Sequence, residues 1–166
     1  MQIYVVVYSA FRDFMEYREY YDFIVTDRGL FVLLLGRLPL VHKKHPALPK
    51  RVEKQLLEIM KSRSRDKHYD TETLMNLVLK KRAIFIPNED VVGIVLGEEE
   101  IPVPPILRKP PSDPRETPKH SQRVLAITMY WKEYSQLRSL TLYTTLKIKD
   151  KVKRGLKEAG YYINIA

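Results

Sequence analysis

Cysteine is absent from the 166 residues, so no disulfide, thiolate nucleophile or cysteine-held metal is available. That absence fits a reducing cytoplasm or a thermophile's avoidance of labile residues, and decides between neither. Glycine is scarce, six residues in all, and neither GxGxxG nor GxxxxGK[ST] occurs. A phosphate-cradling loop is therefore not expected. Long apolar runs are missing too. The longest, LFVLLL at residues 30–35, is six residues, whereas a bilayer span needs about 20. No transmembrane segment is expected. The start, MQIYVVVYSAF, has no basic leader and is followed by Asp13 and Glu16, unlike a signal peptide. GxSxG and HExxH are absent as well, so nothing in the sequence supports an enzyme.

What is present is an apolar core and a concentrated positive charge. Apolar residues are 45% of the chain, which excludes a disordered protein and fits a single domain over residues 1–166. The formal net charge is +9, and residues 37–82 hold thirteen Lys and Arg against five Asp and Glu, nearly the whole excess. Such a local field attracts nucleic acid, anionic lipid or an acidic protein surface, or serves only as a solvated face.

Residues 2–9, QIYVVVYS, read as a strand apolar on both sides. FRDFMEYREYY, at 11–21, fits a helical turn or an exposed loop. YDFIVTDRGLFVLLL, at 21–35, reads as strand, turn and strand, with Gly29 at a left-handed turn position and Gly36 as the stop. The period then changes. Pro49 suits a first helical turn, and Val52, Leu56, Ile59 and Met60 form an apolar stripe. Asp70 or Thr71 can cap a second helix that buries Leu74, Leu77 and Val78. Residues 37–82 are thus a basic helical insertion. AIFIP and VVGIVLG follow as strands, with Pro87 marking a strand end or edge. Seven of the eleven prolines lie between residues 101 and 120, which predicts an extended loop there. Residues 123–131 and the alternating stretch from Ser139, with Leu140, Leu142, Thr144, Leu146 and Ile148 on its buried side, are the last strands. Asp150 is read as the cap of a final helix with Val152, Leu156 and Ala159 inward, and YYINIA as a docked tail.

Two of these stretches resemble a known group. YDFIVTDRGLFVL is similar to the Y-D-(hydrophobic)-V-T-D-(K/R)-R-(hydrophobic) hairpin of prokaryotic pleckstrin-homology-like and GRAM-like domains. KKRAIFIPNEDVVGIVL resembles their K-N-F-x-I-P-Y-E-D-I-x-x-V strand pair, found also in archaeal members. Gly29 stands where a large residue is common, Asn88 where tyrosine is common, and the proline-rich loop is not a family feature. The resemblance covers about 30 residues, all of them fold motifs. It implies a mainly β, α+β fold: a seven-stranded antiparallel barrel or sandwich with a helical insertion after the third strand and a C-terminal helix. It also implies a binding or scaffold module, since members bind phosphoinositides, peptides or proteins.

The candidate site is the basic insertion. Lys43, Lys44, Lys50, Arg51, Lys54, Lys61, Arg63, Arg65 and Lys67 are expected to bind anions. Tyr69 is the one aromatic between Phe31 and Phe85, so base stacking is not expected. Neither a metal nor a cofactor is expected. His42 and His45 lie three apart, with His68 and His120 elsewhere, and no pattern gathers the three or four ligands that zinc requires. Glu98, Glu99 and Glu100 are read as a solvated turn, free to attract the basic insertion. The expected function is non-catalytic binding of a protein or an anionic membrane surface by a cytoplasmic, possibly membrane-peripheral protein. The alternative is a nucleic-acid-binding accessory protein using the same charges. Self-association stays open.

Overall fold

Residues 1–40, 54, 69–108, 113, 115 and 120–166 are described by a computed structural model. Their fold is α+β and mainly β. β1 (Ile3–Phe14), β2 (Tyr17–Thr26) and β3 (Gly29–Pro39) form a meander. α1 (Thr71–Leu79) precedes β4 (Ala83–Pro87) and β5 (Val91–Pro102). β6 (Ser121–Glu133), β7 (Gln136–Thr144), α2 (Lys149–Glu158) and β8 (Ile163–Ile165) complete the chain.

Among the described residues, eight strands, rather than the expected seven, form one sheet in the order β4-β3-β2-β1-β7-β6-β5-β8. The sheet is open and does not close into a barrel. The eighth strand is the expected docked tail, which pairs parallel with β5 from Ile94↔Ile163 to Leu96↔Ile165. β1 also runs five residues past the expected strand. The ambiguous stretch at 11–21 is a hairpin, with Phe14 opposite Tyr17.

The sheet curls around a single inner core. Ile86 of β4 and Ile94 of β5 belong to one buried cluster with Val7, Leu125 and Leu142, although their strands lie at or near opposite ends of the pairing order. Val152 and Leu156 of α2 enter the same core, as the helix pattern predicts. α2 begins after Ile148 without a side-chain cap, and Asp150 lies in its first turn instead of capping it. Gly160, at φ +82°, follows its last turn. Gly155 lets α2 approach β1: a Cβ there would lie 2.6 Å from the Cβ of Val5. Gly155→Ala gains about 1 kcal/mol of helix propensity but costs about 1–3 kcal/mol in overpacking. The expected net result is a melting point lower by about 2–4 °C, at about 1 kcal/mol of net loss. A raised melting point would mean that α2 can shift off β1.

The outer face carries two separate covers. α1 lays Leu74 on Ile24 and Phe31, and Phe31 stacks on Phe85 at 4.6 Å. Asp70 caps α1, accepting from the Thr73 N–H at 2.7 Å, as expected. Farther along, Phe11, Tyr20, Leu38 and Val124 form a second outer cluster with Leu107 of the proline-rich stretch packed against it.

Two features expected of the second and third strands differ. Gly36 does not end β3. It lies beside a bulge where Leu35 is the extra residue between the pairs Tyr20↔Gly36 and Tyr21↔Leu34. Gly29 has φ +156°, not a left-handed helical value, and its need is space against the Ile86 carbonyl. β1 carries a bulge of its own, where Tyr8 and Ser9 oppose Asp22 alone and Ser9 takes φ +54°.

Candidate functional site

Eight of the nine predicted anion-binding residues, Lys43, Lys44, Lys50, Arg51, Lys61, Arg63, Arg65 and Lys67, lie outside the described residues, as does the helix expected over 52–60 apart from Lys54. Lys54 is described and exposed. His42, His45 and His68 also lie outside, and His120 is exposed. Among the described residues, no cluster of three His, Asp or Glu side chains is placed to hold a metal.

The described residues do show where the insertion departs. β3 ends at Pro39, opposite Tyr17 beside the β1–β2 turn, and the Leu40 N–H donates to the Glu16 carbonyl at 2.7 Å. The β1–β2 turn is Met15-Glu16, with Met15 at φ +56°. A polar residue is the usual occupant of such a position, yet Met15 is 85% exposed and Phe14 51%. Tyr17, next in line, is 47% exposed.

The β6–β7 turn lies elsewhere, against Ile84, Pro87 and Asp90, near the end of β3 where Pro87 pairs with Gly29. This turn is Tyr134-Ser135, with φ values of +50° and +64°. Tyr134 is 93% exposed and Leu137 64%. Both turns thus expose large apolar side chains, and the first lies where the basic insertion leaves the sheet.

An ionic network braces the first of these turns. Glu19, whose side chain is 3% exposed, accepts from Arg12 Nε at 2.8 Å and Arg37 Nε at 2.9 Å. Burial alone would raise the Glu19 carboxyl. The two guanidinium groups outweigh it and hold the carboxyl below its usual range. Arg12 also lies 5.2 Å from the Phe14 ring centroid. Across the same strands, Arg18 grips Asp13 through Nε and Nη2 at 2.7 and 3.0 Å and covers the Phe11 ring at 4.0 Å. The turn is therefore preorganised by its neighbours, and its tip is left to solvent.

Glu98, Glu99 and Glu100 lie on β5, not in a turn. Glu98 pairs with Arg123 at 2.9 Å and Lys149 at 3.2 Å. Both of these partners of Glu98 lie outside the insertion. Lys149 first and Arg123 second hold the Glu98 carboxyl below its usual range. Near them, a cleft of about 430 Å³ opens where β1 and β7 part, lined by residues including Ser9, Phe11, Arg123, Thr145 and Lys151.

Sequence reading missed Met15 and Tyr134 because neither turn contains glycine, asparagine or aspartate. The usable signal was the spacing of FRDF and YREYY, two aromatic-rich runs separated by two residues. No helix among the described residues is long and apolar enough to cross a membrane. The chain matches no family model, no curated protein and no solved structure.

Proposed function

We propose that the protein is a non-catalytic, pleckstrin-homology-like binding module that docks on an anionic membrane surface at its cytoplasmic side. One observation carries the reading: the β1–β2 turn exposes Phe14, Met15 and Tyr17 where β3 ends and the basic insertion leaves the sheet. Apolar side chains on a braced turn suit shallow insertion between lipid headgroups, and cations beside them suit anionic lipid. Residues 37–82, whose sequence excess is eight positive charges, begin at that end. The ordering cost of contact is small, because the ionic network already fixes the β1–β2 turn.

The test is co-sedimentation with vesicles of phosphatidylcholine containing phosphatidylserine, against phosphatidylcholine alone. Binding is expected only with the anionic lipid and is expected to fall as salt rises. Phe14→Asp together with Met15→Asp should weaken it at least about tenfold, from the loss of two apolar side chains that would enter the lipid surface. Both positions are exposed, so the melting point should hold. Equal binding by the double variant would overturn this reading. A steeply salt-dependent complex with duplex DNA, indifferent to both substitutions, would instead favour phosphate contact with nucleic acid.

A further inference from the structure

Among the described residues, β4 has one free edge, and the register shows which backbone groups that edge offers. β3 and β4 pair from Gly29↔Pro87 to Leu33↔Ala83. Just beyond the ends of this ladder, the Leu34 N–H donates to the Arg82 carbonyl at 3.0 Å and the Asn88 N–H to the Arg28 carbonyl at 3.2 Å. Bonded positions alternate in an antiparallel ladder. Ile84 and Ile86 therefore turn their N–H and C=O groups toward β3, and Ala83, Phe85 and Pro87 turn theirs away. Pro87 has no N–H, and the missing donor falls on the free side, where the ladder loses nothing.

Exposed edges in stable proteins are usually short, charged or covered. β8, the other edge, is three residues long. β4 has five residues, AIFIP, none of them charged, and Ile84 is 46% exposed. Beside it lies a groove of about 430 Å³ between β4 and the β6–β7 turn, lined by Ile84, Ile86, Trp131 and Tyr134 among others. Asp90, Lys132 and Glu133 are its charged residues, giving a net negative lining.

We propose that this edge receives an extended peptide segment of a partner protein, which adds to β4 as a further strand. Main-chain bonds to Ala83, Phe85 and the Pro87 carbonyl would hold it. Ile84, Trp131 and Tyr134 select apolar residues at every second position, and Asp90 and Glu133 favour a basic residue between them. The inference is independent of lipid binding, and its test contains no lipid.

A display library of random nonapeptides, screened against the full-length protein, should enrich sequences with apolar residues at alternate positions. Ile84→Lys should weaken these peptides at least about tenfold, about 1.4 kcal/mol. Methylating the peptide nitrogens that face β4 should weaken them equally, and this readout does not depend on any protein variant. On binding, the Ala83 and Phe85 amides should become protected from hydrogen exchange. The proposal is overturned if no sequence is enriched above the Ile84→Lys background, or if N-methylated peptides bind as well. Protection of the Ala83 and Phe85 amides in a peptide-free dimer would also overturn it, by assigning the edge to a second copy.

Discussion

Replacing Gly29 with alanine should lower the melting temperature by about 10 °C, the largest effect expected of any single methyl group in this protein. A Cβ at Gly29 would overlap the carbonyl oxygen of Ile86 and lie 2.8 Å from Cε2 of Phe85. The oxygen belongs to the β4 backbone, which cannot move aside without leaving β3. The φ of +156° adds strain, because L side chains are rarely found there. Overpacking costs about 1–3 kcal/mol and backbone strain a similar amount, so about 3 kcal/mol is a modest sum. Thermal unfolding by circular dichroism measures it directly. A drop under about 2 °C, or about 1 kcal/mol at this chain length, would show that β3 and β4 can separate locally at little cost.

Asp22→Ala should be nearly as damaging, for a different reason. Asp22 is 1% exposed. Its Oδ1 accepts from the Ser9 N–H at 2.9 Å, and its Oδ2 accepts from the Tyr69 hydroxyl. The Ser9 N–H sits in the β1 bulge, so the carboxylate replaces a ladder partner. Tyr69 lies where the chain returns from the basic insertion to α1, and burial and then Asp22 push its phenol well above the usual tyrosine range. Alanine would remove the acceptor for the buried Ser9 N–H and for the half-buried Tyr69 hydroxyl. Each donor left in this way costs about 1–3 kcal/mol, or about 4 kcal/mol for the pair. Asp22→Asn keeps an acceptor for Ser9 and should lose less than half as much. Urea unfolding of the two variants side by side decides the matter. Equal losses would mean that charge, not hydrogen-bond acceptance, is what Asp22 supplies.

Strands with local signals were legible in the sequence. β7 alternates, and Leu140, Leu142 and Thr144 are buried as the alternation requires, but the expected strand stops at Thr144, and Leu146–Ile148 is a 3-10 turn instead. Pro87 ends β4 on the edge of the sheet, and Val152 and Leu156 face inward. The losses share a cause. Met15-Glu16 and Tyr134-Ser135 turn without the residues that announce a turn, so the first hairpin stayed ambiguous. β8 pairs with a strand nearly seventy residues away, and a three-residue segment carries no periodicity to reveal it. The apolar tips were invisible for another reason: whether Met15 is core or tip depends on the pairing of Phe14 with Tyr17, not on its own chemistry. The charge excess was plain, and the residues that carry most of it lie outside those described.

The bulge at Tyr8 and Ser9 also changes the parity of β1. Before it, the odd-numbered Val5 and Val7 enter the inner core; after it, the even-numbered Ala10 does, while odd-numbered Phe11 joins the outer cluster. The stretches on either side of this bulge are thus out of step by one residue, joined at the position that Asp22 holds. Deleting Ser9 would remove this bulge and send one half the wrong way. Either the valines would leave the core, or Phe11 and Arg18 would lose each other. Length, not composition, is what this stretch must preserve: many side chains could stand at position 8, but the number of residues between Val7 and Ala10 is set by the two faces they join.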